Sequence, residues 1–547
     1  MGLLMDMKDR KFAWMLWGII ALAGLLQAWA ARFYIEPDGV NYLDVAYAYL
    51  RRDWRNAIND YWSPLYSWLL AIAIRVTHVG PYWESTLLHC VNFLIYLLAL
   101  GCFAFFFREL TRWLAARGDS NETEIPQGWS WLLLGYAIFA YCELELIHVG
   151  TDTPDMLVSA LFFLATGILI RRRRGEAGWL LDAALGAVLA AGYLAKAVMF
   201  PLAFVFLFCS LFTTRNFGRG ARRGAIALVV FFVFSGPWLI VLSHAKGRVT
   251  YGETGRLNYA WYLNGSEGAG EKPGEIAVET FGAGNGGTYP LWYEPTSFNK
   301  NVHARIDVRE QLRVLARSGA EYFGLLSAEK GIAAGLLVLI FFAGSGGNFG
   351  RRIGELWSVW LPAAATFGIY ALVHVETRFL GAAVAIFWCA LFAGVALPRA
   401  ESSGRLWKAV ALAVTIILAV SIAKGTVGDV SALGASENVE WDVAKELQGR
   451  GLVAGEKVAV LGHENRADYW EHLAGVQVAA DIPAEEVPSY WNASAEKRAA
   501  VMDMFARAGA KFVVTDLRPP AGEMAEWFAV GTTGYYARAL SGAAAPK

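Results

Sequence analysis

"FAWMLWGIIALAGLLQAWAA" (12–31) runs straight into "RFYIEPDGVNYLDVA" (32–46). Twenty apolar residues at about 1.5 Å each reach the roughly 30 Å of a bilayer core. The core of a secretory leader is usually only about 7–15 residues. The run therefore predicts a retained membrane anchor that delivers an acidic loop to the far surface. Outward from it, apolar runs recur at 84–107, 129–149, 156–170, 179–195, 198–214, 225–243, 331–348, 356–374, 379–397 and 406–423. About eleven membrane spans follow.

Composition agrees. Of 547 residues, 56% are hydrophobic and only 18% charged, and the mean hydropathy is +0.37. A soluble domain averages about 45–50% apolar and about 25% charged. One large soluble enzyme and a disordered chain are both excluded. With 48 basic against 48 acidic side chains, there is no electrostatic footprint for nucleic acid. The 22 Trp, 22 Tyr and 32 Phe suit a chain with two membrane interfaces to line. Five cysteines (Cys90, Cys102, Cys142, Cys209, Cys389) all fall within apolar runs. They form no disulfide framework or thiolate cluster and read as small buried apolar residues.

Short basic loops face the cytoplasm. Lys and Arg gather at 8–11, 108–117, 171–174, 215–223, 351–352 and 399–408, whereas "TDTPD", "AKA" and "VETR" carry only Lys196 and Arg378. The N-terminus is thus cytoplasmic. One run breaks the alternation: "SPLYSWLLAIAIRVTHV" (63–79), interrupted by Arg75 and short for a crossing. Ser63 and Pro64 form an N-cap and N1 pair, which predicts a helix lying at the interface within the first external loop. An amphipathic helix precedes it, with Val40, Leu43, Tyr47 and Leu50 on one face and Asn41 and Asp44 off it.

The external material is then 32–83, 244–330 and a tail. Residues 1–423 read as the membrane domain and 424–547 as a small α/β domain. Its strand-like runs "KVAVLG" (457–462), "VQVAADIP" (476–483) and "KFVVTD" (511–516) alternate with helical stretches, a pattern of a partly parallel sheet. The first of them lacks a G-x-G-x-x-G turn.

The external loops carry the chemistry. Glu36, Asp38 and Asp44 follow the first span; Asp152 and Asp155 sit in "HVGTDTPDM" (148–156). A carboxylate at the bilayer edge is well placed to become a general base, and two of them are hard oxygen ligands for a divalent cation. Asp152 also reads as a helix cap and Asp44 as a solvated helix face. Asp38 and Asp155 each adjoin a proline in a short loop. Lys196 ends "AAGYLAKAVMFP" (190–201) and Arg378 sits in "HVETRFLGA" (374–382). Together they could clamp a phosphate, or serve as snorkelling anchors. Glu145 and His148 share one helix face. In the long loop, Asn258, Tyr259, Trp261, Tyr262, Asn264, Tyr289, Trp292 and Tyr293 suit either a sugar ring or an interfacial belt.

In order and on one shared face, these motifs resemble the GT-C glycosyltransferases, the polytopic class that includes protein O-mannosyltransferases and aminoarabinose transferases. "EPDGVNY" stands for the acidic motif after the first span, "SPLYSWLLA" where the family often has "HPPLYY", "TPDM" for "LPDA", "YLAKAVMFP" for "LTKGP", and "ETRFLG" for "xRYLLP". Gly39 departs from the Asp-Glu of many members, and Ala197 from the "LTKGP" glycine. The resemblance implies an inverting transfer from a polyprenyl-phosphate-linked sugar to an envelope glycan, lipid or protein. It makes Asp38 the base, with Asp155 as a second catalytic carboxylate. Lys196 and Arg378 would meet the donor phosphate, a divalent metal is an open option, and Tyr66, Tyr259, Trp261 and Asn264 would contact substrate. It places the chain in a bacterial-type inner membrane with the tail outside. The competing reading is a transporter or flippase of a lipid-linked component, but the spans show no inverted repeat.

Overall fold

A computed structural model describes residues 7–116, 123–124, 126–176, 178–214, 216–264, 276–281, 286–298, 303–343, 348–434, 437–463 and 469–540. Arg117, Arg215 and the glycine-rich stretch at 282–285 lie outside the described residues.

The helices that matter are α1 (Met7–Ala30), α2 (Pro37–Leu50), α3 (Pro64–Thr77), α4 (Glu84–Ala115), α5 (Gly128–Tyr141), α6 (Asp155–Arg173), α7 (Trp179–Ala195), α8 (Met199–Leu211), α9 (Phe217–Lys246), α10 (Thr254–Asn264), α11 (Val308–Ala328), α12 (Lys330–Ala343), α13 (Trp357–Ala371), α14 (Gly381–Gly394) and α15 (Glu401–Leu433). Five helical stretches, Lys11–Ala30, Pro81–Ala115, Gly128–Ile147, Phe217–Lys246 and Glu401–Leu433, are long and apolar enough to cross a membrane; α11 and α12 qualify as a pair bent by 74°. The chain is a polytopic membrane protein.

The other five expected spans are shorter helices, from 13 residues in α8 to 19 in α6. One end of each lies at a break in the backbone. α6 opens at Asp155, α7 stops before Lys196, and a 3₁₀ turn at Thr377–Phe379 separates α13 from α14. Irregular backbone between apolar helices is tolerated where it lines a cavity, and these breaks converge on one. α3 has 14 residues, a rise of about 21 Å that falls short of a bilayer core. It packs on α2, where Ser67 Oγ donates to the Tyr42 carbonyl at 2.9 Å.

Beyond α15 lie α16 (Val439–Gly449), α17 (Tyr469–Ala474) and a mixed sheet. Its strands are β1 (Glu279–Thr280), β2 (Lys457–His463), β3 (Gln477–Pro483), β4 (Ala510–Thr515), β5 (Phe528–Ala529) and β6 (Tyr536–Ala539), in the order β1-β3-β2-β4-β6-β5. β2 pairs parallel with β3 and β4; the remaining pairs are antiparallel. Val458, Val478 and Phe512 pack on one face, and Leu461, Ile482 and Val513 on the other; β2 and β4 follow the two-residue period, while a one-residue register shift between Val478 and Ala480 turns Ile482 to the face opposite Val478.

Three expectations need correcting. The sheet takes its edge strand β1 from the long loop, and Phe281 and Tyr289 of that loop join its core. Asp44 is buried, because the tail covers the face that α2 would otherwise show to water. Cys90 is exposed on α4 rather than buried, while the other four cysteines are buried.

Candidate active site

Glu36 precedes α2 in an extended conformation and Pro37 occupies its first turn. Proline is preorganised for that position, so Asp38 is set at a helix N-terminus, where negative charge is favoured. Its Oδ1 accepts from the Trp292 indole Nε1 at 3.2 Å, and its Oδ2 faces Arg378 Nη2 at 3.2 Å. Gly39 is required by packing. A Cβ there would stand 2.6 Å from Cβ of Asp152.

Asp152 is wholly buried and ties the first loop to the spans. It accepts from the Glu36 backbone N–H at 3.0 Å and from Asn92 Nδ2 at 3.3 Å, with His89 Nδ1 at 3.5 Å. Asp155, in the first turn of α6, accepts from Thr153 Oγ1 at 2.6 Å and from Lys196 Nζ. Lys196 is the extended residue between α7 and α8, and its ammonium lies 3.8 Å from the Phe379 ring centroid.

Arg378, in the turn before α14, gathers three carboxylates: Glu376 at 2.6 Å, Asp38 at 3.2 Å and Glu36 at 3.6 Å. Burial works against its charge, but Asp155, Asp38 and Glu376 outweigh it and raise its pKa. Burial also works to raise the Glu376 carboxyl. His374 and Arg378 hold it down at about 2. Glu36 goes the other way, to about 7, because burial outweighs the pull of Arg378 and Asp38 adds its repulsion.

Two cavities meet here. One, of about 440 Å³, holds Lys196, Asp155, Arg378 and Glu376 beside aromatic walls from Tyr61, Trp62, Trp261 and Tyr262. The other, of about 540 Å³, opens between the first loop, the long loop and the tail. Asp38, Trp292 and Arg378 line both.

Of the residues singled out from sequence, Asp38, Asp155, Lys196, Arg378, Asn258, Trp261, Tyr262 and Trp292 line the first cavity. Tyr66 does not. It is buried beneath Tyr42, with its hydroxyl donating to Asn92 Oδ1 at 2.6 Å. Tyr259 donates to Gln311 at 3.0 Å, and Asn264 to the Arg305 carbonyl at 3.0 Å; neither lines either cavity. Glu145 and His148 both face α15, at Ser421 and Asp429. Glu376 and the stacking of His374 on Tyr262, with ring centroids 4.3 Å apart, have no counterpart in the sequence reading. Glu376 was within reach, two residues from Arg378 in "HVETRF".

The donor set does not fit a divalent cation. Asp38 is engaged by Arg378 and Trp292, and Asp155 by Lys196 and Thr153. Among the described residues no group of three or more His, Cys, Asp or Glu side chains could hold a metal.

Long apolar helices, shorter helices broken around a charged pocket, and an α/β tail over it are an arrangement the chain shares in fold with several solved structures. The solved structures similar to the chain include ArnT from Cupriavidus metallidurans in the apo state, with a TM-score of 0.56 and 12% identity over 97% of this chain and 99% of that one. Also similar is the oligosaccharyltransferase AglB from Archaeoglobus fulgidus in complex with an inhibitory peptide and a dolichol-phosphate. Its TM-score is 0.51 and its identity 12%, over 99% of this chain and 75% of that one. The apo form of the A. fulgidus oligosaccharyltransferase gives 0.51 and 13%, over 94% of this chain and 70% of that one. At such identities the likeness is one of fold. One A. fulgidus structure is a complex with Zn and sulfate. No protein-family model and no curated protein matches the chain.

Proposed function

We propose that the chain is a membrane glycosyltransferase that moves a sugar, with inversion, from a polyprenyl-phosphate donor to a hydroxyl of an envelope acceptor. The observation that carries this reading is the wall of Asp38, Arg378 and Trp292 shared by two cavities. Inversion needs a nucleophile and a leaving group on opposite sides of one carbon. The cavity that holds Lys196 and Arg378 suits the donor: these two cations meet the phosphate, and the Trp261–Trp292 pair, stacked at 6.0 Å and 18°, offers flat faces to the sugar.

The acceptor hydroxyl enters from the other side. Asp38 takes its proton as the oxygen bonds to the anomeric carbon, and the carbon–oxygen bond to phosphate breaks with its electron pair going to the phosphate. Preplaced cations stabilise that developing charge. Before donor binds, Asp38 shares Arg378; a phosphate competes for the guanidinium and frees the carboxylate. Asp155 holds Lys196 in register. No step runs through a metal. In this reading residues 1–423 are the catalytic membrane part, the N-terminus is cytoplasmic, and the tail from 424 lies on the extracytoplasmic side of a bacterial-type inner membrane.

The test is purified full-length chain in proteoliposomes with radiolabelled polyprenyl-phosphate sugars and envelope-derived acceptors. Acceptor-dependent transfer is expected. A chain that moves the intact lipid-linked sugar across the bilayer without cleaving it is a flippase, and the proposal fails.

A further inference from the structure

α11 is a 21-residue helix with three distinct sides. At about 100° per residue, Gln311, Val314, Ser318, Tyr322 and Leu325 form the side that holds it to the protein. Gln311 Nε2 donates to the Leu372 carbonyl and Ser318 Oγ to the Ala371 carbonyl, both at 3.0 Å. The Tyr322 hydroxyl donates to the Phe367 carbonyl at 2.6 Å. All three acceptors lie in the last turns of α13 or one residue past it.

The second side is apolar and bare. Val308, Leu312, Leu315, Phe323 and Leu326 fall within a stripe about 80° wide, and Phe323 is 71% exposed. Beside it runs a basic side: Arg309, Arg313 and Arg317, spaced four residues apart so that they line up along the helix, and all exposed. Glu310 pairs with Arg313 at 2.5 Å. At about 1.5 Å per residue the helix is long enough to cross a bilayer core, but these charges and Glu321 make a crossing costly. It is also bent by 74° from α12. The bend is a built feature, since Glu329 is buried there and accepts from Trp388 Nε1 of α14 at 2.8 Å. α12 carries Leu337 and Phe341 exposed, as a lipid-facing helix does. With α12 along the span, α11 lies much nearer to the membrane plane.

A helix with a bare apolar stripe flanked by cations sinks that stripe about 5–10 Å into the headgroup boundary. Guanidinium groups alongside are matched to phosphate oxygens. We infer that α11 is a docking helix for an anionic lipid surface, its apolar stripe lying among acyl chains and Arg309, Arg313 and Arg317 taking phospholipid phosphates. None of these three lines either cavity, and the inference stands whatever reaction the chain performs. Its reach into the site is indirect. Val373, His374, Glu376 and Arg378, which follow the tethered end of α13, line the 440 Å³ cavity, so docking holds that wall at headgroup depth.

The experiment uses the full-length chain in phosphatidylcholine nanodiscs, with or without phosphatidylglycerol. Cys90→Ser removes the exposed thiol, and a fluorophore is placed on Leu312→Cys or on Glu321→Cys, which is exposed and off the apolar stripe. Lipids brominated on the acyl chain should quench the Leu312 probe severalfold more than the Glu321 probe, and aqueous iodide the reverse. Amide exchange over residues 308–328 should slow severalfold when phosphatidylglycerol is present. R309Q/R313Q/R317Q should lose that protection, whereas R309K/R313K/R317K should keep most of it. Should the Gln variant not fold, wild type at about 1 M salt, where the Debye length is about 3 Å, should lose the protection instead. Iodide quenching of Leu312 as strong as that of Glu321 puts the stripe in water and overturns the inference. A Leu312 probe dark to both quenchers overturns it too, because protein then covers the stripe. So does exchange indifferent to phosphatidylglycerol, or protection that neither neutralisation nor salt removes, since the arginines then hold no phosphate.

Discussion

Asp38 sits at a helix N-terminus and on the wall of two cavities, so its substitution separates a structural from a chemical role. An Asn at the start of a helix stabilises about as well as Asp, and it keeps an oxygen for the Trp292 indole. It cannot take a proton. Asp38→Asn should therefore melt within a degree or two of wild type yet lose about 10²–10⁴-fold in kcat, with donor Kd unchanged or tighter because Arg378 is released. Near-normal turnover would leave Asp38 a structural residue. The same pairing predicts indifference to chelation. Because Asp38 and Asp155 are met by Arg378 and Lys196, EDTA-treated enzyme should keep its activity, and loss that Mg²⁺ or Mn²⁺ restores would count against this donor assignment. Lys196 and Arg378 were legible in the sequence because each stands between two apolar runs, where an ionisable group is costly enough to demand a reason, and Asp38 and Asp155 because each adjoins a proline in a short acidic loop. Glu279 was not. It sits in a long loop without periodicity, and only its pairing with β3 of the tail brings it to the site; Trp292 was legible only as one of that loop's aromatics, not as the partner of Asp38.

The helix that carries Asp38 is held at its far end by the tail. His472 of α17 bridges Asp44 of α2 at 2.8 Å and Glu84 of α4 at 3.0 Å. The Thr288 backbone N–H and hydroxyl donate to Asp44 at 2.6 and 3.0 Å, and Tyr47 donates to Glu84. Burial works to lower the His472 pKa, but Glu84 and Asp44 raise it to about 10. A group whose folded pKa lies above its unfolded value stabilises fully below the unfolded value, about 6.5, and that contribution fades as pH climbs through about 10. His472→Gln keeps the shape and removes the charge, leaving two buried carboxylates facing each other. The variant should lose about 3–5 kcal/mol at neutral pH, as breaking a buried pair does, and the gap in Tm from wild type should shrink between pH 7 and 10. A gap independent of pH would mean that His472 is neutral in the folded protein. Reading Asp44 as a solvated face was a reasonable inference from α2 alone. Helical periodicity shows which face is polar, not what a segment more than 400 residues away will lay over it.

At the scale of the whole molecule, the apolar periodicity located every expected span as a helix, and the strand-like runs located the tail's central sheet. The boundaries between runs at 149/156, 195/198 and 374/379 already fall at Asp155, Lys196 and Arg378; what the runs could not supply was that these breaks converge on one cavity that several segments build together. That construction divides the labour between the two parts of the chain. Among the described residues, every one that lines the donor cavity lies between Asp38 and Phe379. The acceptor cavity instead takes one wall, Asp481, Pro483 and Glu485, from the tail. A chain ended after Gly434 keeps α15 whole and loses His472, β3 and that wall. It should still bind a polyprenyl-phosphate donor, with Kd weakened by no more than about tenfold, or 1.4 kcal/mol, and that binding is the check that its membrane part has folded. Transfer should fall by at least about 10²-fold, since positioning of the second reactant is gone. If the truncated chain transfers as fast as the full one, the acceptor does not enter between the first loop and the tail, and the 540 Å³ cavity has another purpose. If donor binding also vanishes while the protein remains helical and monodisperse, the tail shapes the donor side as well, through the clasp on α2, and Asp38 cannot be treated as belonging to the membrane part alone.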